Sequence, residues 1–361
     1  MSRFYVTTTG PSADLVRADV LARHHRQHGD RVRFLSAVDS PDRDALALSY
    51  NDFVRPAPPA PGQPPYRLAD QATALRAAVD DGLLRIQPAG ARAEVLAHLA
   101  AGLPDRPLPD AAMAGLRAPI TALGYDVDGP NYRRWWLEGD RRVHVVDSGS
   151  LLAHTAHWPA FLLAAGIPLP TDIVVTTDFG VDLGVLARGH GSDAVRWWLL
   201  RHAPSGSVGR AGKELPKHLG GLVDQVTVMI HRYRGSRPPT GSAPDAAGLV
   251  AVCREAPRKV HAALTAADFR QATDEVWRIA EEATRYLADT RPWDLANAER
   301  RGDTDAGERL DAVLASLLAA CRALANELTP FIPSVATRIA ERCAALSGTL
   351  APSLPLFPQT G

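Results

Sequence analysis

Residues 6–19 read VTTTGPSADLVRAD and predict a β-strand, a tight turn and a helix in immediate succession. The β-branched run Val6–Thr9 favours a strand, which Gly10-Pro11 ends. Ser12 is a suitable helix cap, so a helix is expected from about Ala13 to His28. A strand that ends in a glycine turn before a helix N-terminus is the usual cradle for a nucleotide phosphate.

Asp14 conflicts with that interpretation, because it places a carboxylate in the first turn of the same helix. A helix N-terminus attracts anions, so a bound phosphate would lie close to this turn. Like charges repel, and the Asp14 side chain therefore opposes the anion that the backbone favours. The sequence thus predicts a phosphate cradle that has been altered.

The chain continues with strands and helices in alternation. Arg31–Ala37 predicts a second strand that ends at Asp39, and 144–146 and 172–177 predict further buried strands. A helix is expected over 150–164, between the last two of these strands. Such βαβ spacing is typical of a parallel sheet, whose ligands bind beyond the carboxyl ends of the strands.

The second half of the chain is predicted to be almost entirely helical, and the first half contains a proline-rich break. Residues 56–65, PAPPAPGQPP, contain six prolines and predict a stiff linker rather than regular structure. The expected helices of the second half cover 217–234, 247–253, 258–289, 306–327 and 331–346. An α/β domain followed by an α-helical bundle is therefore the predicted fold class.

Composition argues against several kinds of partner. The 361 residues carry a formal net charge of zero, so no DNA-binding surface is predicted. No apolar run is long enough to span a membrane and no signal core is seen, so a cytoplasmic location is expected. The three cysteines are far apart in sequence and support neither a disulfide framework nor a zinc knuckle. His24 and His28 lie four residues apart, but this spacing alone is weak evidence for a ligand pair, and no metal site is predicted.

Several stretches together resemble methionyl-tRNA synthetases, a family of class I aminoacyl-tRNA synthetases. The matching segments occur in the family's order: FYVTTT (4–9), ADVLARHHRQHGD (18–30), FLSAVDS (34–40), HWPAFLLAAGIPLP (157–170), GSDAVRWWLLRHAPSGS (191–207), HLGGLVDQVTVMIHRY (218–233) and DTRPWDLAN (289–297). The resemblance implies a Rossmann-like catalytic domain followed by a helical bundle similar to the anticodon-binding domain of the family.

The resemblance also implies a division of the chain into segments. The expected segments are the first half of the Rossmann-like domain (1–55), a reduced connective insertion without a zinc knuckle (56–115), the second half of the Rossmann-like domain (116–210), an anticodon-binding-like helical domain (211–350) and a tail (351–361). The insertion region contains no cysteine and only His98, so it lacks the ligands that a zinc site requires.

The chain departs from the family at both motifs that bind ATP. The family carries a His-x-Gly-His motif after the first strand and a Lys-Met-Ser-Lys-Ser loop after the last. Here the first region is shortened and lacks histidine, and 174–184 (VVTTDFGVDLG) contains no lysine or arginine. The expected degenerate nucleotide site comprises Thr8, Thr9, Gly10, Pro11, Thr176, Thr177 and Asp178. These motifs stabilise charge at the triphosphate, so ATP binding is doubtful and no cofactor is certain.

The amino-acid pocket of the family is better preserved. The resemblance places Asp39 where the family binds the α-ammonium group, and His154 and Trp158 beside the substrate side chain. Ala153 replaces an aromatic residue of the family, and Thr7 is the remaining pocket residue expected. His154 and Trp158 are four residues apart and should share a helix face. The alternative, purely structural roles are a turn carboxylate for Asp39 and core packing for His154 and Trp158.

The positions at which the family reads the anticodon are also altered. Gly221 and Gln225 stand where the family has an asparagine and an arginine, with Asp224 between them. Trp293 is retained, although burial in a core would explain it equally well. Because these positions differ from those of the family, the resemblance implies that recognition of tRNA is impaired.

Three functions are consistent with these residues. The first is a paralogue that has lost ATP-dependent tRNA charging, keeps an amino-acid pocket and acts as a pseudo-enzyme or partner protein. The second is a non-canonical ligase or transferase of specialised metabolism, for example of a hydrazine-forming type or one that uses an activated aminoacyl donor. The third is an ordinary methionine–tRNA ligase. The expected partners are an amino acid or its derivative, with tRNA or a protein as further candidates.

Overall fold

The computed structural model describes residues 1–36, 40–53, 68–103, 110–125, 128–241, 243–352 and 355–357. The chain divides into two compact units, Met1–Gly184 and Val185–Gly361. We call them unit 1 and unit 2 and describe each by itself. The domain scheme expected from the sequence, with its boundary at 210, stays a prediction.

Unit 1 is built on a parallel sheet. Its strands are β1 (Arg3–Thr8), β2 (Arg31–Ser36), β3 (Asp52–Phe53), β4 (Arg85–Gln87), β5 (Arg141–Asp147) and β6 (Asp172–Thr176). They lie in the order β3-β2-β1-β5-β6-β4, and every neighbouring pair is parallel. Strand β4 belongs to the segment that the sequence assigned to a connective insertion, and it pairs with β6 at the sheet edge.

The order of the strands places a ligand site at one point of the sheet. Strand β1 lies between β2 and β5, so the chain leaves β1 in one direction first and returns to its other side later. Open parallel sheets bind ligands beyond the carboxyl ends of their strands at such a switch point. A ligand is therefore expected to contact the residues that follow β1, β5 and β6.

Helix α1 (Ser12–Gln27) follows β1 after a turn of three residues, close to the predicted bounds. Its cap differs from the prediction, because Pro11 precedes the helix and no side chain caps it. The backbone of Pro11 is extended, and its carbonyl accepts the N–H groups of Asp14 at 3.0 Å and Leu15 at 3.2 Å. The expectation that Ser12 caps the helix was wrong, since the fixed φ of proline already positions that carbonyl.

The other helices of unit 1 pack against the sheet through two clusters of apolar side chains. They are α2 (Ala72–Asp80), α3 (Ala89–Ala101), α4 (Asp110–Thr121), α5 (Pro130–Tyr132) and α6 (Trp158–Ala164). One apolar cluster includes Leu75, Val95 and Ile173, and the other is aromatic, with Tyr5, Trp136 and Trp158. The aromatic cluster lies under β1 and supports the region where ligands are expected.

The predicted helix over 150–164 is not continuous. A short 3₁₀ turn covers Ser148–Ser150, and Ala153–His157 forms a widened turn with π-type geometry before α6. Further turns of this type cover Arg133–Leu137, Trp198–His202 and Pro216–Gly220, so the geometry alone does not mark a functional site. The wide turn before α6 carries His154, which is buried in the described structure.

Unit 2 is helical, as the sequence predicted. Its helices are α7 (Leu183–His190, which begins in unit 1), α8 (Ser192–Trp197), α9 (Val208–Leu215), α10 (Gly221–Arg234), α11 (Ala247–Thr265), α12 (Phe269–Thr290), α13 (Pro292–Arg300), α14 (Thr304–Leu328) and α15 (Pro333–Cys343). A small antiparallel hairpin, β7 (Ala345–Leu346) and β8 (Thr349–Leu350), follows them.

The predicted break near residue 257 is wrong. Helix α11 continues through Pro257, and the chain instead turns at Ala267, which has a left-handed φ of 55°, before Asp268 caps α12. The Asp268 side chain accepts the N–H of Gln271 at 2.9 Å, which satisfies a free donor of the new helix. Across the residues that the structure describes, the helices are too short or too polar to cross a membrane.

Candidate functional site

The turn after β1 holds no open space above its glycine. The carboxyl group of Asp14 lies against Gly10, and a Cβ at residue 10 would overlap its Oδ2 atom. The Gly10 N–H donates to Thr8 Oγ1 at 3.1 Å, so the turn is also closed from within. A phosphate would have to occupy the position of the Asp14 side chain. Asp14 therefore fills the cradle that the strand, turn and helix form.

Thr176, at the end of β6, holds the Asp14 carboxyl in this position. Its hydroxyl donates to Asp14 Oδ1. Oδ2 has no hydrogen-bond partner among the described residues, and the side chain is completely buried. Three residues of the predicted nucleotide site, Thr8, Gly10 and Thr176, are thus brought together around a carboxylate. We call this group, with Asp14, the acid plug.

Burial governs the protonation of Asp14. The pKa of its carboxyl is raised from 3.8 to about 6, chiefly by removal from water, and the carboxylates of Asp147 and Asp178 act in the same direction. The Thr176 hydroxyl and the Arg17 guanidinium act in the opposite direction, but they are weaker than burial. Asp14 therefore changes charge near neutral pH, unlike an ordinary aspartate.

Arg17 is a basic residue at this site that the sequence analysis missed. Its guanidinium Nη1 lies 3.9 Å from Asp14 Oδ1 and donates to the carbonyl of Thr177 at 3.2 Å. The guanidinium also lies over the ring of Phe179, 5.9 Å from its centre. Positions 14 and 17 share a face of α1, so their spacing could have revealed this residue. A cation thus lies beside the acid plug, although it is already engaged with the loop after β6.

The remaining members of the predicted nucleotide site form an outer rim. Pro11, Thr177 and Asp178 are exposed, and Asp178 Oδ1 accepts the N–H of Gly180 at 3.3 Å. Thr9 is half-buried and lies between this rim and the interior of the sheet. The structure therefore distributes the predicted residues between a closed centre and an open edge.

Two histidines and two threonines form a continuous chain of hydrogen bonds beside the acid plug. Thr7 Oγ1 lies 2.6 Å from His144 Nδ1, and His144 Nε2 lies 2.9 Å from His154 Nδ1. His154 Nε2 lies 3.3 Å from Thr9 Oγ1. We call these four residues the Thr–His chain. Because β5 lies beside β1, His144 faces Thr7 directly in the sheet register.

Both imidazoles of the Thr–His chain are neutral at physiological pH. Burial, with a smaller contribution from His154, holds the pKa of His144 well below 6.5. Burial lowers the pKa of His154 to about 4, although the Asp147 carboxylate opposes this shift. A neutral imidazole has one N–H donor and one acceptor nitrogen, so each histidine can pass a hydrogen bond along the chain.

Three residues of the predicted amino-acid pocket lie around His144, and the pocket itself stays a prediction. The ring of Trp158 packs on the ring of His144 with centres 4.8 Å apart, and the ring of His154 lies 4.9 Å from the ring of His144. Ala153 lies half-buried against the aromatic cluster of Trp158. His154, Trp158 and Thr7 are therefore neighbours of one residue, His144, which the sequence analysis treated only as part of a strand. Asp39 lies outside the described residues, and its role stays a prediction.

The histidines at the C-terminal end of α1 have structural partners. His25 Nδ1 lies 2.8 Å from Asp30 Oδ2, and its ring stacks on Phe4 at 3.7 Å. His28 Nδ1 lies 2.8 Å from the carbonyl of His24. Among the residues that the structure describes, no group of three or more histidine, cysteine or acidic side chains could hold a metal ion.

In unit 2 the altered anticodon positions lie on α10. Asp224 pairs with Arg342 at 2.5 Å, and Gln225 is exposed. Trp293 is 39% exposed, so core burial does not explain it. Impaired recognition of tRNA therefore stays a prediction.

Comparison with known proteins gives similarity to methionine–tRNA ligases. No family model matches the chain. A methionine–tRNA ligase from Clostridium perfringens is 31% identical over 245 residues, which is 61% of this chain and 37% of that protein. A second, from Caldanaerobacter subterraneus, is 28% identical over 334 residues, which is 78% of this chain and 51% of that protein. The chain thus spans about a third to a half of the length of these curated relatives.

Solved structures agree on the fold. A Mycobacterium tuberculosis methionyl-tRNA synthetase in complex with methionyl-adenylate superposes with a TM-score of 0.87 at 20% identity, covering 99% of this chain and 100% of that one. The parallel sheet with its helical continuation is therefore the fold of a class I aminoacyl-tRNA synthetase, as predicted. Within that class the chain is similar in sequence and fold to methionyl-tRNA synthetases, which confirms the resemblance.

Proposed function

We propose that this chain is a methionyl-tRNA synthetase-like protein that has lost ATP-dependent tRNA charging. It retains an amino-acid pocket and acts as a pseudo-enzyme or partner protein. The observation that carries the proposal is the acid plug, because Asp14 occupies the position that a nucleotide phosphate requires. Removing one positioned donor from such a site typically costs about 10²- to 10³-fold in rate, and here a carboxylate is also added.

The first test is the amino-acid-dependent exchange of pyrophosphate into ATP. We expect no exchange above background with L-methionine, because activation requires a bound triphosphate. The Mycobacterium tuberculosis methionyl-tRNA synthetase, assayed in parallel, is the positive control. Methionine-dependent exchange by this chain would contradict the proposal.

A second test removes the acid plug. Asp14→Ala is expected to raise the affinity for ATP about tenfold or more, since a like charge about 4 Å away costs roughly 1 to 4 kcal/mol. Equilibrium dialysis with labelled ATP measures the change. Asp81→Ala is the matched control, because Asp81 is exposed on another part of unit 1. Equal affinities of the two variants for ATP would show that Asp14 does not block the site.

Two observations favour other functions. Arg17 supplies a cation beside the plug, and sequence similarity to methionine–tRNA ligases favours an ordinary ligase. Methionine-dependent exchange would support that function. The contacts of His144 with His154 and Trp158 support an amino-acid pocket apart from the acid plug, which favours a transferase that uses an activated aminoacyl donor. Binding of methionyl-tRNA in the absence of ATP would support this second candidate.

A further inference from the structure

The two ends of the Thr–His chain differ in their surroundings. Thr7 lies within the sheet and is 3% exposed, whereas Thr9 is half-buried beyond the carboxyl end of β1. His144 and His154 lie between them and are buried. Thr9 is therefore the end of the chain that a ligand can reach.

The direction of the hydrogen bonds follows from the need of the buried Thr7 hydroxyl for an acceptor. With both imidazoles neutral, the donors all point toward Thr9 or all point toward Thr7. If they pointed toward Thr7, its hydroxyl hydrogen would need another acceptor, and the described residues provide none. A buried donor without a partner is strongly unfavourable. The Thr7 hydroxyl therefore donates to His144, His144 donates through Nε2 to His154, and His154 donates through Nε2 to Thr9.

This direction leaves the Thr9 hydroxyl as a free donor. Thr9 Oγ1 accepts from His154, and its own hydrogen has no acceptor among the described residues. Hydrogen bonds in a chain polarise one another, so the terminal hydroxyl is a stronger donor than an isolated threonine. A ligand at this end must therefore present an acceptor atom.

The charges nearby restrict which acceptor fits. Asp147 acts on His154, and Asp147 and Asp178 both act on Asp14, so this edge of the sheet is acidic. The neighbouring guanidinium of Arg17 is already engaged with Thr177 and Phe179. An acidic edge repels a carboxylate and attracts an ammonium group. An uncharged acyl oxygen on a ligand that also carries an ammonium group meets both conditions.

We propose that Thr9 Oγ1–H recognises the neutral acyl oxygen of an aminoacyl ester or amide, and that the site prefers such derivatives to the free amino acid. This inference rests on the proposed amino-acid pocket. It makes Thr9 a specificity-determining residue and His144, His154 and Thr7 the residues that position its hydrogen. The class of ligand expected at this site is therefore an amino acid whose carboxyl group is already esterified or amidated, rather than the free amino acid.

Calorimetric titration with three probes tests the preference. L-methioninamide has a neutral acyl oxygen and an ammonium group, L-methionine has a carboxylate, and 3-(methylthio)propylamine has no acyl oxygen. We expect the wild-type protein to bind L-methioninamide at least about tenfold more tightly than either of the others. Tighter binding of L-methionine than of L-methioninamide would overturn the inference and leave the amino-acid pocket intact. Binding of none of the three would overturn both.

Two variants at position 9 assign the preference to the hydroxyl. Thr9→Val keeps the shape of the side chain and is expected to weaken binding of L-methioninamide about threefold to tenfold, with binding of 3-(methylthio)propylamine unchanged within about twofold. Thr9→Ser keeps the donor and should restore the wild-type affinity. Unchanged affinity of Thr9→Val for L-methioninamide would overturn the inference.

A measurement without ligand tests the direction of the chain. Nitrogen-15 NMR of the free protein distinguishes the two neutral tautomers of histidine, and we expect the Nε2–H tautomer at both His144 and His154. Thr9→Val should leave both tautomers unchanged, because the inner end fixes the direction. An Nδ1–H tautomer at His154 would place the free donor at Thr7 and overturn the inference.

Discussion

Asp14→Asn is expected to stabilise the protein by about 3 kcal/mol at pH 8 and to leave its stability nearly unchanged near pH 4. The wild-type carboxyl is completely buried, and its Oδ2 atom has no partner among the described residues. Asparagine keeps an oxygen that accepts from Thr176 and carries no charge. The variant therefore removes the cost of holding a carboxylate in this position.

The pH dependence follows from the pKa of Asp14, which folding raises from 3.8 to about 6. Between these values the folded state binds more protons than the unfolded state, so the free energy of unfolding falls as the pH rises. Below pH 3.8 both states are protonated and the cost is absent. Above about pH 6 the cost is complete. The difference between wild type and variant should thus grow across this interval.

Urea denaturation of both proteins from pH 4 to pH 8 measures this difference. The two proteins are compared at each pH because His154 also contributes to the pH dependence. Its pKa is lowered to about 4 in the folded state, so its contribution makes the free energy of unfolding fall as the pH decreases. Its contribution is common to both proteins and cancels. Asp81→Asn is the control, since an exposed carboxyl should change stability by less than about 0.5 kcal/mol. Parallel stability curves for wild type and Asp14→Asn would contradict the prediction.

The sequence predicted the parts of the fold that depend on local patterns. The bounds of α1 and of the strands beside it agree within one or two residues, because β-branched runs and the Gly10 turn act locally. Asp14 was identified as incompatible with a phosphate from its helix position alone. The sequence did not show that its side chain fills the turn, since this requires Thr176 of a distant strand.

The Thr–His chain could not be predicted for the same reason. Thr7 and His144 are 137 residues apart and meet only because β1 and β5 are neighbours. The sequence drew attention to His154 through a resemblance, and it treated His144 as one residue of a buried strand. Because buried polar groups are hydrogen-bonded, a histidine in a buried strand indicates that partners for its ring nitrogens lie nearby. Identifying those partners requires the order of the strands.

Trp136→Ala is expected to cost about 3 to 5 kcal/mol of stability, the largest effect of any substitution considered. Trp136 is 1% exposed, and its Nε1 donates to the carbonyl of Pro168 at 3.0 Å. The ring packs between Tyr5 and Trp158, with centres 6.2 Å and 6.1 Å away. Alanine would leave a cavity beneath β1 and an unpaired carbonyl beside it.

Trp293→Ala is the matched control for this loss, because Trp293 is 39% exposed in the helical unit. We expect it to cost clearly less, about 1 to 2 kcal/mol, since 39% of its surface already contacts water. Urea denaturation of the two variants compares the costs.

Trp136 also supports Trp158, which packs on His144, so Trp136→Ala should alter the tautomer signals of the Thr–His chain under conditions in which it stays folded. A cost below about 1.5 kcal/mol for Trp136→Ala would show that the aromatic cluster does not hold the site in place.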